Sequence, residues 1–216
     1  MARYNSVMTT RTIALLCPLL WAGPLPAADV TTPSPETVIE ERFWGQLHAE
    51  GGKTFFCDTP FTSKGFLITQ GYVYPLSHVR TALRCGTPRQ CEKDERYRRI
   101  ASDLHNMVPV QSRVEMRRRN AKYEQLTEST PVGECEIRES TQFIEPPGRI
   151  KGDVARIVAY MVDTYHLPWL GTAVTFQSWN ELDPPDDTEL TRHRRVRDLQ
   201  GNANRFVTSP EQMAHL

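Results

Sequence analysis

Asp103-Leu104-His105-Asn106-Met107-Val108-Pro109-Val110-Gln111-Ser112-Arg113-Val114-Glu115-Met116-Arg117-Arg118-Arg119-Asn120 falls into two halves of different character. Its first four residues are dense in hydrogen-bonding side chains. Pro109 predicts the end of the helix that carries them, because proline lacks an N–H and clashes with the preceding turn. Val114 to Leu126 then reads as a fresh helix. On it Glu115, Arg118, Arg119 and Lys122 are spaced three, four and seven apart and share a face. One carboxylate among three cations suits a divalent ion beside a phosphate. It also suits a solvated helix laced with ion pairs, and on spacing alone that second reading is the better one.

A chain of 216 residues, 39% hydrophobic, suits one soluble domain with a sizeable core. Residues 1–28 read as an export signal. Arg3 and Arg11 supply the positive region, Ile13 to Ala22 the apolar stretch, and Ala27-Ala28 a small-residue cleavage site. That apolar stretch is too short to span a bilayer. Leu16 is too large to precede a lipid-bearing Cys17. Without the two leader arginines, 24 basic residues face 26 acidic ones. Any nucleic-acid contact must therefore come from local patches. Cys57, Cys85, Cys91 and Cys135 remain after the leader. An even count in an exported chain predicts two disulfides, with three connectivities open. The spacings lack the close pairs that zinc sites use.

Residues 29–35 read as a flexible lead-in, with Ser34 as a helix cap and Pro35 at the first helical position. Ile39, Phe43 and Leu47 form an apolar stripe ending at Gly51-Gly52. Lys53 to Phe61 and Phe66 to Val79 read as strands, with His78 at the end of the second. Residues 91–107 read as a helix and 128–149 as mostly loop. Ile150 to Tyr165 is the longest helix. A helix over about 170–182 follows, then a last one capped by Asp186 and Glu189 and running to Gln200. Residues 209–216 read as a frayed tail.

Asp103-Leu104-His105-Asn106-x-x-Pro109, followed by Val114, Arg118 and Asn120, resembles the pattern of the endonuclease I family of periplasmic and secreted bacterial nucleases. The resemblance continues through Glu145-Pro-Pro-Gly-Arg-Ile-Lys-Gly-Asp-Val-Ala-Arg156, Tyr160-Met161, Trp179-Asn180 and Gln200-Gly-Asn-Ala-Asn204. It covers roughly residues 36–208. Ordered landmarks over that length are more specific than any single motif. It implies an α+β fold: a mixed, mostly helical single domain around a ββα-metal core of hairpin plus helix.

The resemblance also implies a site. His78, in Ser77-His78-Val79, falls at the family's general base, and Gly86 falls at a family glycine. His105, Asn106 and Asn120 match positions that support the base. The family holds one Mg²⁺ (or Mn²⁺) with a Glu before the base and an Asn on the following helix. Here those positions are Ser77 and Glu115, as if a carboxylate had moved from hairpin to helix. Arg118 matches the family's Arg-x-Asn and is expected at the catalytic site, in contact with phosphate. Arg89 sits one place from a phosphate-holding arginine, in a segment shortened by about ten residues. Arg119, Lys122, Arg192 and Arg195 are candidate phosphate-backbone contacts. The family's Cys-Gly-Cys is replaced by Cys57-Asp58-Thr59. The implied protein is a periplasmic or secreted monomer, free of membrane. It would be a metal-dependent endonuclease, without sequence specificity, on double-stranded DNA, with RNA also open. The alternative is a degenerate member that binds nucleic acid without cutting it. A third reading is an exported structural or inhibitor-binding protein that keeps only the scaffold.

Overall fold

A computed structural model describes Met1 and residues 33–127, 129–131 and 133–216. Residues 2–28 of the expected export signal and residues 29–32 of the lead-in lie outside the described residues.

The fold opens on α1 (Pro35–Thr37), which continues as a π-helical run, Val38–Leu47. Ser34 caps it, its hydroxyl accepting from the Thr37 N–H at 3.2 Å. Strands β1 (Gly52–Lys53) and β2 (Pro60–Phe61) form a short antiparallel ladder. Asp58 in the connecting turn has φ +52°, the left-handed region glycine favours, at the position where the family pattern has glycine. β3 (Ile68–Tyr72) follows, then α2 (Leu76–Leu83), α3 (Pro88–Cys91) and α4 (Glu95–Ala101).

β4 (Met107–Gln111) pairs antiparallel with β3, Ile68 opposite Gln111 and Tyr72 opposite Met107. α5 (Ser112–Arg118) begins on the residue after β4. An antiparallel pair running directly into a helix is the ββα frame the resemblance implied. β5 (Lys122–Tyr123) lies parallel to β7 (Phe143–Glu145), which pairs antiparallel with β6 (Arg138–Glu139). Then come α6 (Lys151–Tyr165), α7 (Ala173–Leu182), α8 (Asp187–Gln200) and α9 (Arg205–Thr208). Among the described residues no helix is long and apolar enough to cross a membrane.

Several boundaries differ from the sequence reading. Pro109 ends no helix. It sits inside β4 opposite Gln70, and its carbonyl accepts from the Phe55 N–H at 2.8 Å. A proline is tolerated there because β4 has only one strand neighbour, so its missing N–H breaks no ladder. The helix expected over 91–107 is divided, because Asp94 caps a new start by accepting from the Tyr97 N–H. His78 lies in the first turn of α2, since Pro75 stops the strand and starts the helix. The helix expected from Val114 to Leu126 ends at Arg118, so Arg119 and Lys122 do not continue its face. The tail is not frayed. Pro210–His215 forms a 3₁₀ turn that buries Met213.

The main core surrounds α6. Val154, Ala155, Val158 and Met161 are wholly buried and pack with Val73, Tyr74, Val79, Phe176, Trp179 and Phe206. A buried side chain of this size contributes roughly 1.5–3 kcal/mol, which fixes β3 and α2 against the interior. Arg156, also wholly buried, donates to Glu189 on α8 (Nε–Oε1 2.9 Å, Nη2–Oε2 2.5 Å) and to the Asn180 side chain. Cys57–Cys135 and Cys85–Cys91 are the two disulfides, which resolves the connectivity.

Candidate active site

His78 projects from the first turn of α2, with its Nε2 2.7 Å from the Asn120 carbonyl oxygen. A carbonyl only accepts, so Nε2 carries the proton and Nδ1 keeps the basic lone pair. The end of α5 delivers that carbonyl. Arg119 takes φ +46°, the Ala121 N–H donates to the Arg118 carbonyl at 2.9 Å, and β5 then leaves along β7. A helix continued to Leu126 would have spent the Asn120 carbonyl on its own ladder. His78 shares a cleft with Arg118, Arg119, Asn120 and Lys122, closed on the far side by the 139–142 turn. Arg119 and Lys122 are exposed at its rim. Arg117 is paired with Glu139 at 2.9 Å.

His105 and Asn106 are both buried. Asn106 Oδ1 accepts from the Tyr74 N–H at 2.6 Å and its Nδ2 donates to the Tyr74 carbonyl at 3.0 Å. It thereby holds both backbone groups of Tyr74, four residues before His78. His105 donates from Nε2 to the Asn202 carbonyl at 3.2 Å, and burial pushes its pKa down. Asp103 accepts from the hydroxyls of Tyr160 and Tyr165, from Gln200 Nε2 and from the His105 N–H. The quoted motif is mostly a polar clamp joining α6, α8 and the base-bearing segment. A buried network with every group satisfied is rigid.

The resemblance implies a divalent ion, and the donor set can be tested against it. Glu115 offers one carboxylate with 29% of its side chain exposed. Arg118 Nη2 lies 3.1 and 3.0 Å from Oε1 and Oε2, and its Nε lies 3.3 Å from Oε2. A carboxylate has about four lone-pair directions, so these contacts leave room on Oε1. A Cβ on Gly71 would stand 2.9 Å from Oε2, so glycine there keeps the carboxylate seated. Among the described residues no three His, Cys, Asp or Glu side chains converge as a metal cage. The residues fit a hard ion that keeps most of its waters and takes one carboxylate. They do not fit zinc.

The other expected site residues are dispersed. Ser77 lines a different cleft, with Arg80 and Arg84, so it stands among cations rather than beside a second metal ligand. Arg118 was expected at phosphate. It is instead buried, donating to the Tyr72 and Val73 carbonyls as well as to Glu115, so it positions the end of β3. Arg89 is exposed on the four-residue α3 and lines neither cleft. Arg192 was expected on a phosphate track. Its Nη2 is instead occupied by the Leu104 and Met107 carbonyls at 2.8 and 2.5 Å. Arg195 stays exposed and donates to the Gln46 carbonyl. The sequence reading missed the Asn120 main-chain carbonyl, because a backbone acceptor leaves no trace in residue type.

A family model described as Endonuclease I matches residues 57–211, well over half of the chain. The chain belongs to the endonuclease I family. Endonuclease-1 of Buchnera aphidicola subsp. Acyrthosiphon pisum is 30% identical over 138 residues, 62% of this chain and 55% of that protein. An extracellular deoxyribonuclease of Aeromonas hydrophila is 30% identical over 146 residues, 63% of each chain. An extracellular ribonuclease of Bacillus amyloliquefaciens is 26% identical over 129 residues, 51% of this chain and 44% of that protein. The matches thus span between roughly half and two thirds of these relatives' lengths. The matched residues include both His78 and Glu115, of which only Glu115 lies within the ββα frame.

Proposed function

We propose that this protein is an exported endonuclease that hydrolyses phosphodiester bonds of DNA without sequence specificity. The observation that carries the reading is the His78 Nε2–Asn120 carbonyl contact at the wall of a cation-rimmed cleft. His78 Nδ1 takes the proton from a water attacking phosphorus, and the Asn120 carbonyl stabilises the imidazolium that forms. Arg119 and Lys122 hold backbone phosphates at the rim. Glu115 is the residue that would hold one Mg²⁺ or Mn²⁺, which when bound supplies Lewis-acid stabilisation of the phosphorane and the leaving oxygen. The names of the Aeromonas relatives favour DNA and an extracellular or periplasmic location. The names of the Bacillus relatives make RNA the substrate to compare. The test is nicking of supercoiled plasmid by the mature protein in Mg²⁺ or Mn²⁺, expected to stop with EDTA. No nicking with either ion would overturn it.

One observation favours the second reading, a family member that binds nucleic acid without cutting it. The carboxylate nearest a metal role is shared with Arg118. Under that reading, gel shifts would weaken steeply with salt while plasmid stays intact.

A further inference from the structure

Ser77, Arg80, Thr81 and Arg84 recur along one face of α2 and, with Gly86, line a cleft beside the helix turn that bears His78. No carboxylate lines this cleft. Among the described residues neither the Arg80 nor the Arg84 guanidinium has an ion-pair or hydrogen-bond partner. The Ser77 hydroxyl oxygen is buried and has no partner either. The Thr81 hydroxyl donates to the Ser77 carbonyl at 3.0 Å, so its proton is already used.

The corner that closes the cleft is built to stay put. Arg84 caps α2 in the left-handed region at φ +53°, and its N–H donates to the Thr81 carbonyl at 3.3 Å. Gly86 takes φ +95°, and the Cys85–Cys91 disulfide ties the corner to α3. Two arginines thus stand one helical turn apart in a lining that also holds an orphaned hydroxyl and no carboxylate. An arrangement of that kind is completed by an anion with several acceptor oxygens.

We propose that the Ser77–Arg80–Arg84 cleft binds a phosphate of the nucleic-acid backbone next to the one that His78 addresses. The ligand class rests on the function proposed above. The assignment of residues rests on the cleft alone. Arg80 and Arg84 contact the phosphate oxygens, and the Ser77 hydroxyl donates to one of them. Arg89, on the shortened segment, takes no part, because it lines no wall of this cleft.

The test is calorimetric titration of thymidine 3′,5′-bisphosphate into the mature protein in EDTA, where neither metal nor cleavage contributes. Saturable binding is expected. Arg80→Gln with Arg84→Gln should weaken it at least tenfold, Ser77→Ala about threefold, and Arg89→Gln less than twofold. Among the described residues neither guanidinium has a partner to lose, so the double variant should melt like wild type. Wild-type binding that does not saturate, a double variant that binds like wild type, or an Arg89→Gln loss as large as the double variant's would each overturn the proposal. A protein that binds the bisphosphate through these arginines but fails to nick plasmid keeps this site and loses the catalytic reading.

Discussion

Glu115→Gln separates two roles that meet in one carboxylate. Arg118 is 2% exposed and Glu115 29% exposed, so the pair lies at the edge of the interior. A hydrogen bond to a charged group is worth about 1.5–3 kcal/mol. Partial exposure reduces that, and glutamine keeps one acceptor oxygen, so a loss of about 1–2 kcal/mol is expected. Arg118 keeps its bonds to the Tyr72 and Val73 carbonyls, which limits the damage. For a domain of this size each kcal/mol moves Tm by about 2–4 °C, so Tm should fall by about 2–8 °C. Mg²⁺ or Mn²⁺ titrated calorimetrically into the same variant should give no binding heat, because the one carboxylate suited to the ion is gone. An unchanged Tm would refute the ion pair with buried Arg118. A lowered Tm with wild-type metal isotherms would refute the metal role and leave Glu115 purely structural.

Replacing Cys57 and Cys135 by serine opens a link between residues 78 apart, and Cys85 with Cys91 one between residues 6 apart. Loop entropy predicts losses of about 4.5 and about 2 kcal/mol. Urea unfolding checks the order, and equal losses would contradict it. Arg192→Ala should cost about 2–3 kcal/mol, since it strands the carbonyls of Leu104 and Met107, and should leave the salt slope of DNA binding unchanged. A flatter slope would return Arg192 to the phosphate track. Burial pushes the His48 pKa down to about 4, and that of His105 below its ordinary value. The unfolded chain therefore binds protons that the native one refuses, so stability is full above about pH 6.5 and falls as pH drops toward 4. A urea midpoint that stays level between pH 7 and 5 would show that these histidines charge freely in the fold.

Much of the frame was legible because its signals are local. Ser34, Asp186 and the apolar period of α6 mark three helices, and the even cysteine count marks two disulfides. The ordered landmarks pointed to the fold because they are its polar clamps: Asp103, Arg156 and Asn180 are buried and hydrogen-bonded across elements. They speak to scaffold before chemistry. The end of α5 was not legible, because no glycine or proline marks Arg119, and its positive φ is imposed by the pairing of β5 with β7. The same turn carries the acceptor for His78, so the least readable boundary lies at the candidate site. Arg118 and Arg192 were misassigned for one reason. An arginine looks alike in sequence whether its donors meet phosphate or buried carbonyls.

His78, held in one tautomer by the Asn120 carbonyl, is the proposed base that activates water. Single-turnover cleavage by wild type and His78→Ala, measured beside DNA affinity, tests it most directly. A drop of about 10²- to 10⁴-fold in rate with affinity within a few-fold of wild type is the predicted result. His78→Ala cleaving at the wild-type rate would contradict it.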